Sequence, residues 1–108
     1  YTKMSLAVLV VNYNSGTAIK DLIESYLKLN SKPDLYILDN SSTDESRNTI
    51  EYYLRNPHPS IFITLSDKNL GFSGGVNYLA NLSKNSELLC IFNPDCIFSE
   101  ETFSSIHE

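Results

Sequence analysis

The sequence predicts an α/β domain of three layers, with helices on both faces of a mainly parallel sheet. Three observations carry this. Short apolar runs of strand length alternate along the chain with segments of helical period, and that order is what successive βαβ units produce. The first run, SLAVLVVN (residues 5–12), is apolar without alternation, as a strand buried on both faces must be. The loops that follow the strands are polar and small, while those that precede them look like plain connections.

The elements follow in order. After the first strand, Ser15 and Gly16 break the run, and a helical pattern over 17–30 puts Ile19, Leu22, Ile23, Tyr26 and Leu27 on one face, with Leu29 beside it. Lys32-Pro33-Asp34 punctuates, and LYIL (35–38) reads as a second strand. Ser42 or Thr43 can cap a helix that continues through Ile50, Tyr53 and Leu54 and ends at Asn56-Pro57 and His58-Pro59. IFITL (61–65) is a third strand, KNLGFSGG a loop, and residues 75–83 a short helix. ELLCIF (87–92) is the fourth strand, and a last helix is expected from Ser99. This is a Rossmann-like arrangement, and in such sheets ligands sit outside the carboxyl ends of the strands.

Length and composition narrow the function classes. With 108 residues the chain holds one domain, large enough for a core. A formal charge of −5, a pI near 4.9 and 8 scattered basic residues exclude a nucleic-acid surface, which needs clustered Lys and Arg. Acidity does not exclude a phosphate ligand, because backbone N–H groups and a bound cation hold phosphates without Lys. Cys90 and Cys96 have no zinc-ligand spacing and form no disulfide framework, so they read as structural and the setting as the reducing cytoplasm. No apolar run has the length of a membrane span. The chain opens on Tyr1 with Met4 nearby and closes on SEETFSSIHE, so it reads as an excised segment of a longer protein.

The carboxyl ends of the strands concentrate the informative residues. Tyr13, after the first strand, is either a stacking platform for a planar ring or a half-buried rim residue. Asp39 directly follows the second strand, where a carboxylate needs donors: a base N–H or ribose hydroxyl supplies them, or the residue caps the next helix. NLGFSGG carries three glycines in five positions, which suits close approach of a phosphate or ribose and equally suits a tight loop opening a helix. Its spacing is neither a Walker loop nor G-x-G-x-x-G. Asp95 is the candidate ligand for a hard divalent cation, Mg²⁺ or Mn²⁺, with Asn93 adding an amide oxygen and Pro94 stiffening the turn; the competing reading is a simple Asn-Pro-Asp turn.

Taken together, VVNYN, DNSSTDES, NLGFSGGVN and FNPD resemble, in order and spacing, the N-terminal half of inverting, family-2 glycosyltransferases with the GT-A fold. The resemblance covers essentially the whole chain and is nearest to the rhamnosyltransferase-like branch, where NPD stands for the Asp-x-Asp element. It implies that Tyr13 stacks on the nucleobase with Val11 and Asn12 lining the same pocket, and that Asp39 hydrogen-bonds the base. It further implies that the 69–77 segment, with Asn69, Gly71, Gly74, Gly75 and Asn77, lies beside the ribose and pyrophosphate, next to Pro94. Asp95 with Asn93 would hold the divalent cation that bridges the diphosphate. The implied partners are a nucleotide-diphospho-sugar donor of dTDP, UDP or GDP type and a glycan or lipid-linked acceptor in bacterial polysaccharide synthesis, with association at the inner face of the plasma membrane through segments outside this chain.

The sequence departs from that pattern in two ways. Asn93 replaces the first carboxylate of Asp-x-Asp, and the catalytic base, an Asp or Glu that the family supplies from further downstream, has no match among Glu100, Glu101 and Glu108. This chain is therefore expected to bind donor without completing transfer. A nucleotidyltransferase would want an Arg- and Lys-bearing glycine loop after the first strand, where only Lys20 stands nearby, and a non-catalytic Rossmann-like module would not need polar loops confined to one sheet edge. An open edge, where the rest of the protein docks, would favour homo-oligomers.

Overall fold

The computed structural model describes residues 5–101. Strands β1 (Leu6–Asn12), β2 (Asp34–Asp39), β3 (Ile61–Leu65) and β4 (Leu88–Phe92) alternate with helices α1 (Ala18–Leu27), α2 (Ser46–Arg55) and α3 (Gly71–Leu82). All pairings are parallel and the strand order is β3-β2-β1-β4. The expected fold class is the one observed. The order runs outward from β1 to β3 on one side and then restarts with β4 on the other. The crevice between the carboxyl ends of β1 and β4 is thus the topological switch point, where such sheets bind ligands.

Burial explains the composition of each strand. Central β1 is buried at all seven positions, which is why its sequence is a continuous apolar run. Leu6, Val8 and Val10, with Leu35, Ile37 and Ile61 from the neighbouring strands, meet Ile19, Leu22, Ile23, Tyr26 and Ile50 of α1 and α2. The opposite residues Ala7, Leu9, Val11 and Leu38 meet Leu79 of α3. The helical spacing of Ile19, Leu22, Ile23 and Tyr26 is what lets α1 present one closed apolar stripe.

Two local expectations are corrected, and the burial of β4 is one-sided. The residues following Asp39 do not cap α2 directly: the helix starts at Ser46 with Glu45 as its N-cap and no side-chain cap bond, because the Ser42 hydroxyl is engaged elsewhere. Helix α3 starts at Gly71 and not at Gly75, so the glycines lie within its first turns. Strand β4 is not buried on both faces; Leu89 and Ile91, on the α3 side, are 38% and 51% exposed, because α3 packs over β1 and β2. Residues 100–101 are helical, and the rest of the segment expected to form the last helix lies, like Tyr1, Met4 and Glu108, outside the described residues.

After β4 the chain turns back onto α1. The Cys96 N–H donates to the Asn93 carbonyl at 3.0 Å, closing the turn. Phe98 is then buried against Tyr26 and Phe92, with ring centroids at 5.3 and 5.0 Å, and its N–H donates to the Ser25 hydroxyl. Cys90 and Cys96 pack against the same core, and burial pushes the Cys90 thiol up from its usual value, as befits a structural cysteine. Among the described residues no helix is long and apolar enough to cross a membrane.

Candidate functional site

The carboxyl ends of β1 and β2 are joined by a buried polar knot. Asn12 and Asp39 are register partners at the last rung of the two strands, both fully buried. A buried amide and a buried carboxylate are tolerable only when bonded, and here each satisfies the other: Asn12 Nδ2 donates to Asp39 Oδ1 at 2.8 Å. The same nitrogen approaches the hydroxyls of Ser42 and Ser46 at 3.2 Å each. Asp39 Oδ2 accepts from the Ser42 N–H at 3.1 Å and from Arg47 Nη1 at 3.3 Å. Both oxygens of Asp39 thus face donors from within the chain.

This knot shapes the loop that carries Tyr13. Asn14 adopts a left-handed φ of 47°, its N–H donates to the Ser42 hydroxyl at 3.0 Å, and its side-chain oxygen accepts from the Thr43 N–H at 2.8 Å. Asp44 accepts from the N–H of Gly16 at 2.9 Å and from the N–H and hydroxyl of Ser46. The Ser46 hydroxyl above all, together with these backbone donors, holds the Asp44 carboxyl below its usual 3.8 against a partial loss of hydration. A depressed folded-state value contributes stability that is present above the ordinary value and lost as pH falls through the folded one. Asp44→Asn is therefore expected to flatten the acid limb of a stability-against-pH curve below about pH 4; an unchanged limb in denaturant titrations would remove Asp44 from this account.

Asn40 makes the third link. Its N–H donates to the Asn12 carbonyl at 2.8 Å, its side-chain oxygen accepts from the Leu70 N–H at 2.9 Å, and its amide donates to the Gly71 carbonyl at 3.1 Å. One buried side chain thereby fastens the start of α3 to the ends of β1 and β2. Gly71 itself has φ +75°, a conformation that suits glycine, and its N–H is received by Asn69 Oδ1 at 2.7 Å.

A cleft of about 330 Å³ opens at the switch point, lined by Val11, Tyr13, Asn40, Asn69, Gly71, Phe72, Asn93 and Pro94. Of the residues singled out from sequence, Val11, Tyr13, Asn69, Gly71, Asn93 and Pro94 are brought together here. Asn12 and Asp39 lie in the buried knot and do not line it. Gly74 and Gly75 sit on the helix behind, where Gly75 faces Val11, and Asn77 is exposed on α3 outside the lining. Asp95 is exposed, one residue past the lining residue Pro94. Sequence reasoning missed Asn40 and Phe72. The signal for Phe72 was an exposed-looking aromatic in a glycine-rich polar loop; for Asn40 only the pairing across the sheet reveals its use.

The chemistry of the donors fits a hard divalent cation. Asp95 offers a carboxylate and Asn93 an amide oxygen, both exposed where β4 leaves the sheet, and Mg²⁺ or Mn²⁺ completes such a set with water and phosphate oxygens. Among the described residues no cluster of three or more His, Cys, Asp or Glu side chains could hold a metal by itself.

Comparison with known proteins decides the family. The glycosyl transferase family 2 domain profile matches residues 7–108. The chain belongs to glycosyl transferase family 2. This glycosyltransferase domain is 28% identical over 99 residues to the O-antigen chain rhamnosyltransferase WbaN of Salmonella anatum, covering 90% of this chain and 30% of that protein. Its fold superposes on residues 1–349 of TarS from S. aureus with a TM-score of 0.75 at 24% identity, over 95% of this chain and 31% of that TarS segment. That protein has been solved with UDP and with UDP-GlcNAc. The mannosyltransferase PcManGT from Pyrobaculum calidifontis, solved with GDP-Man and Mn²⁺, superposes with a TM-score of 0.71 at 21% identity, over 96% of this chain and 31% of that one. At those identities the structural likeness speaks for the fold, and it is the GT-A fold that the motifs implied. The glycosyltransferase chain spans about 30% of the length of its curated relative.

Proposed function

We propose that this chain is the donor-binding, N-terminal part of an inverting glycosyltransferase that takes a nucleotide-diphospho-sugar. The observation that carries the reading is the cleft at the switch point, with an exposed aromatic ring on the β1 side and oxygen donors on the β4 side. Tyr13 stacks on the base. The glycine-bearing start of α3 lets ribose and pyrophosphate approach the backbone. Asp39, buried beneath the cleft, acts from below: its Oδ2 accepts from the Ser42 N–H at 3.1 Å and from Arg47 at 3.3 Å, which keeps the loops around Tyr13 in place. Asn12 holds the other oxygen in place.

Asp95 and Asn93 would hold the divalent cation, which would supply Lewis-acid neutralisation of charge on a nucleoside diphosphate leaving group. The side chains here orient the donor so that its anomeric carbon faces an acceptor, and the base that deprotonates the acceptor belongs to residues outside this chain. The donor sugar is rhamnose on a dTDP carrier, a reading supported by the likeness to a rhamnosyltransferase of O-antigen chains. The acceptor is a glycan or lipid-linked saccharide in bacterial polysaccharide synthesis, met at the cytoplasmic face of the membrane.

The test is a calorimetric titration of dTDP and UDP, with and without Mn²⁺, into the wild type and Asp95→Ala. Metal-dependent binding weakened more than about tenfold in Asp95→Ala is the expected result, since loss of even a supporting partner at a metal site costs that much. Binding indifferent to metal and to the substitution would remove the cation from the site while leaving the nucleotide pocket.

A further inference from the structure

We propose that Phe72 is the second wall of an aromatic clamp that, with Tyr13, grips the nucleobase of a nucleoside diphosphate. The inference rests on the donor-binding reading above and adds a residue which the family motifs leave without a role.

Tyr13 and Phe72 come from separate elements, one from the loop after β1 and one from the first turn of α3, and both line the same cleft. They are 52% and 55% exposed, and neither joins any of the ring–ring contacts found among the described residues. Single exposed rings are ordinary on a surface. Two that converge on one cleft, rimmed by the amides of Asn40, Asn69 and Asn93, form an apolar slot with a polar edge, which is the composition of a small-molecule site.

Both walls stand on bonded supports. Asn40 holds Leu70 and Gly71 immediately before Phe72, and Asn69 receives the Gly71 N–H. Asn14, bonded to Ser42 and Thr43, fixes the residue after Tyr13. A Cβ added at Gly71, which also lines the cleft, would meet nothing within 4 Å, so the space at that position is open. Supports of this kind reduce the ordering cost of binding. Every base has an aromatic face, so stacking supplies affinity without choosing among bases; the choice falls to edge contacts.

The experiment is a calorimetric titration of UDP and of inorganic pyrophosphate, both with Mg²⁺, into the full protein as wild type, Phe72→Leu, Phe72→Tyr and Tyr13→Ala. Phe72→Leu is expected to weaken UDP roughly 5- to 150-fold, the range that about 1–3 kcal/mol for one base–aromatic stack converts to, while pyrophosphate affinity stays put. Phe72→Tyr, which keeps a ring, recovers what Phe72→Leu loses. Equal UDP affinity in wild type and Phe72→Leu, with Tyr13→Ala still impaired, would overturn the clamp and leave the donor reading standing. A parallel fall in pyrophosphate binding, or equal losses in the Leu and Tyr variants, would make Phe72 a structural residue and also overturn it. Failure of the wild type to bind UDP, dTDP or GDP would overturn both readings.

Discussion

Asp39→Ala is expected to destabilise the fold by about 2–4 kcal/mol, one of the largest effects of any polar substitution in the chain. The reason is what it strands. Asn12 Nδ2 loses its shortest acceptor, and the Ser42 N–H loses its side-chain partner, both inside a region with no access to water. Arg47 suffers least, because its side chain is 32% exposed and also meets Glu51 at 3.2 Å, so solvent and that neighbour receive it. That is why the figure lies below the full cost of orphaning a buried charge. Asp39→Asn keeps the shape but turns one acceptor into a donor facing a donor, so an intermediate loss is expected. Urea midpoints at neutral pH measure both, and an Ala variant within about 0.5 kcal/mol of wild type would show that the knot contributes little.

Gly75→Val is the second. A Cβ at Gly75 would lie 2.8 Å from Val11 Cγ2, 3.0 Å from Cγ1 and 3.4 Å from Leu38 Cδ2. Rotating Val11 does not relieve the clash, because both of its methyl groups face the glycine, and a β-branched side chain has few rotamers to choose from. Relief requires α3 to lift from the sheet. For Gly75→Ala, overpacking of about 1–3 kcal/mol is set against a helix-propensity gain of about 1 kcal/mol, leaving a small net loss. Valine adds two more methyl groups and little propensity, so a loss near 3 kcal/mol is expected. Since Val11 also lines the cleft, UDP affinity should fall together with stability. Stability lost with binding intact would show that the helix can shift without disturbing the cleft.

These two residues show how differently parts of the molecule could be read in advance. The run LAVLVVN announces a central strand because a parallel sheet covered on both faces admits no polar alternation. The loops after β1, β2, β3 and β4 announced a site because topology gathers the carboxyl ends, and the structure brings Tyr13, Asn69, Gly71, Asn93 and Pro94 to one cleft. Asp39 and Asn12, by contrast, looked from sequence like pocket residues and proved to be buried partners beneath it. Nothing local distinguishes a carboxylate that faces a ligand from one that faces an asparagine 27 positions away. The glycines near Gly75 looked like loop residues and proved to be helical, because what requires glycine there is the nearness of β1, a contact across the fold.

Sequence alone determined the fold class, the order of elements, the family and the edge of the sheet where binding residues collect, since all of these follow from periodicity and from motif spacing along one chain. The tertiary structure alone decided which polar residues at that edge line the cleft and which lock the loops from below, and that Phe72 lines the same cleft as Tyr13. Such choices depend on which side chains from separate strands meet, and on the rule that a buried polar group must find its partner wherever the fold places one.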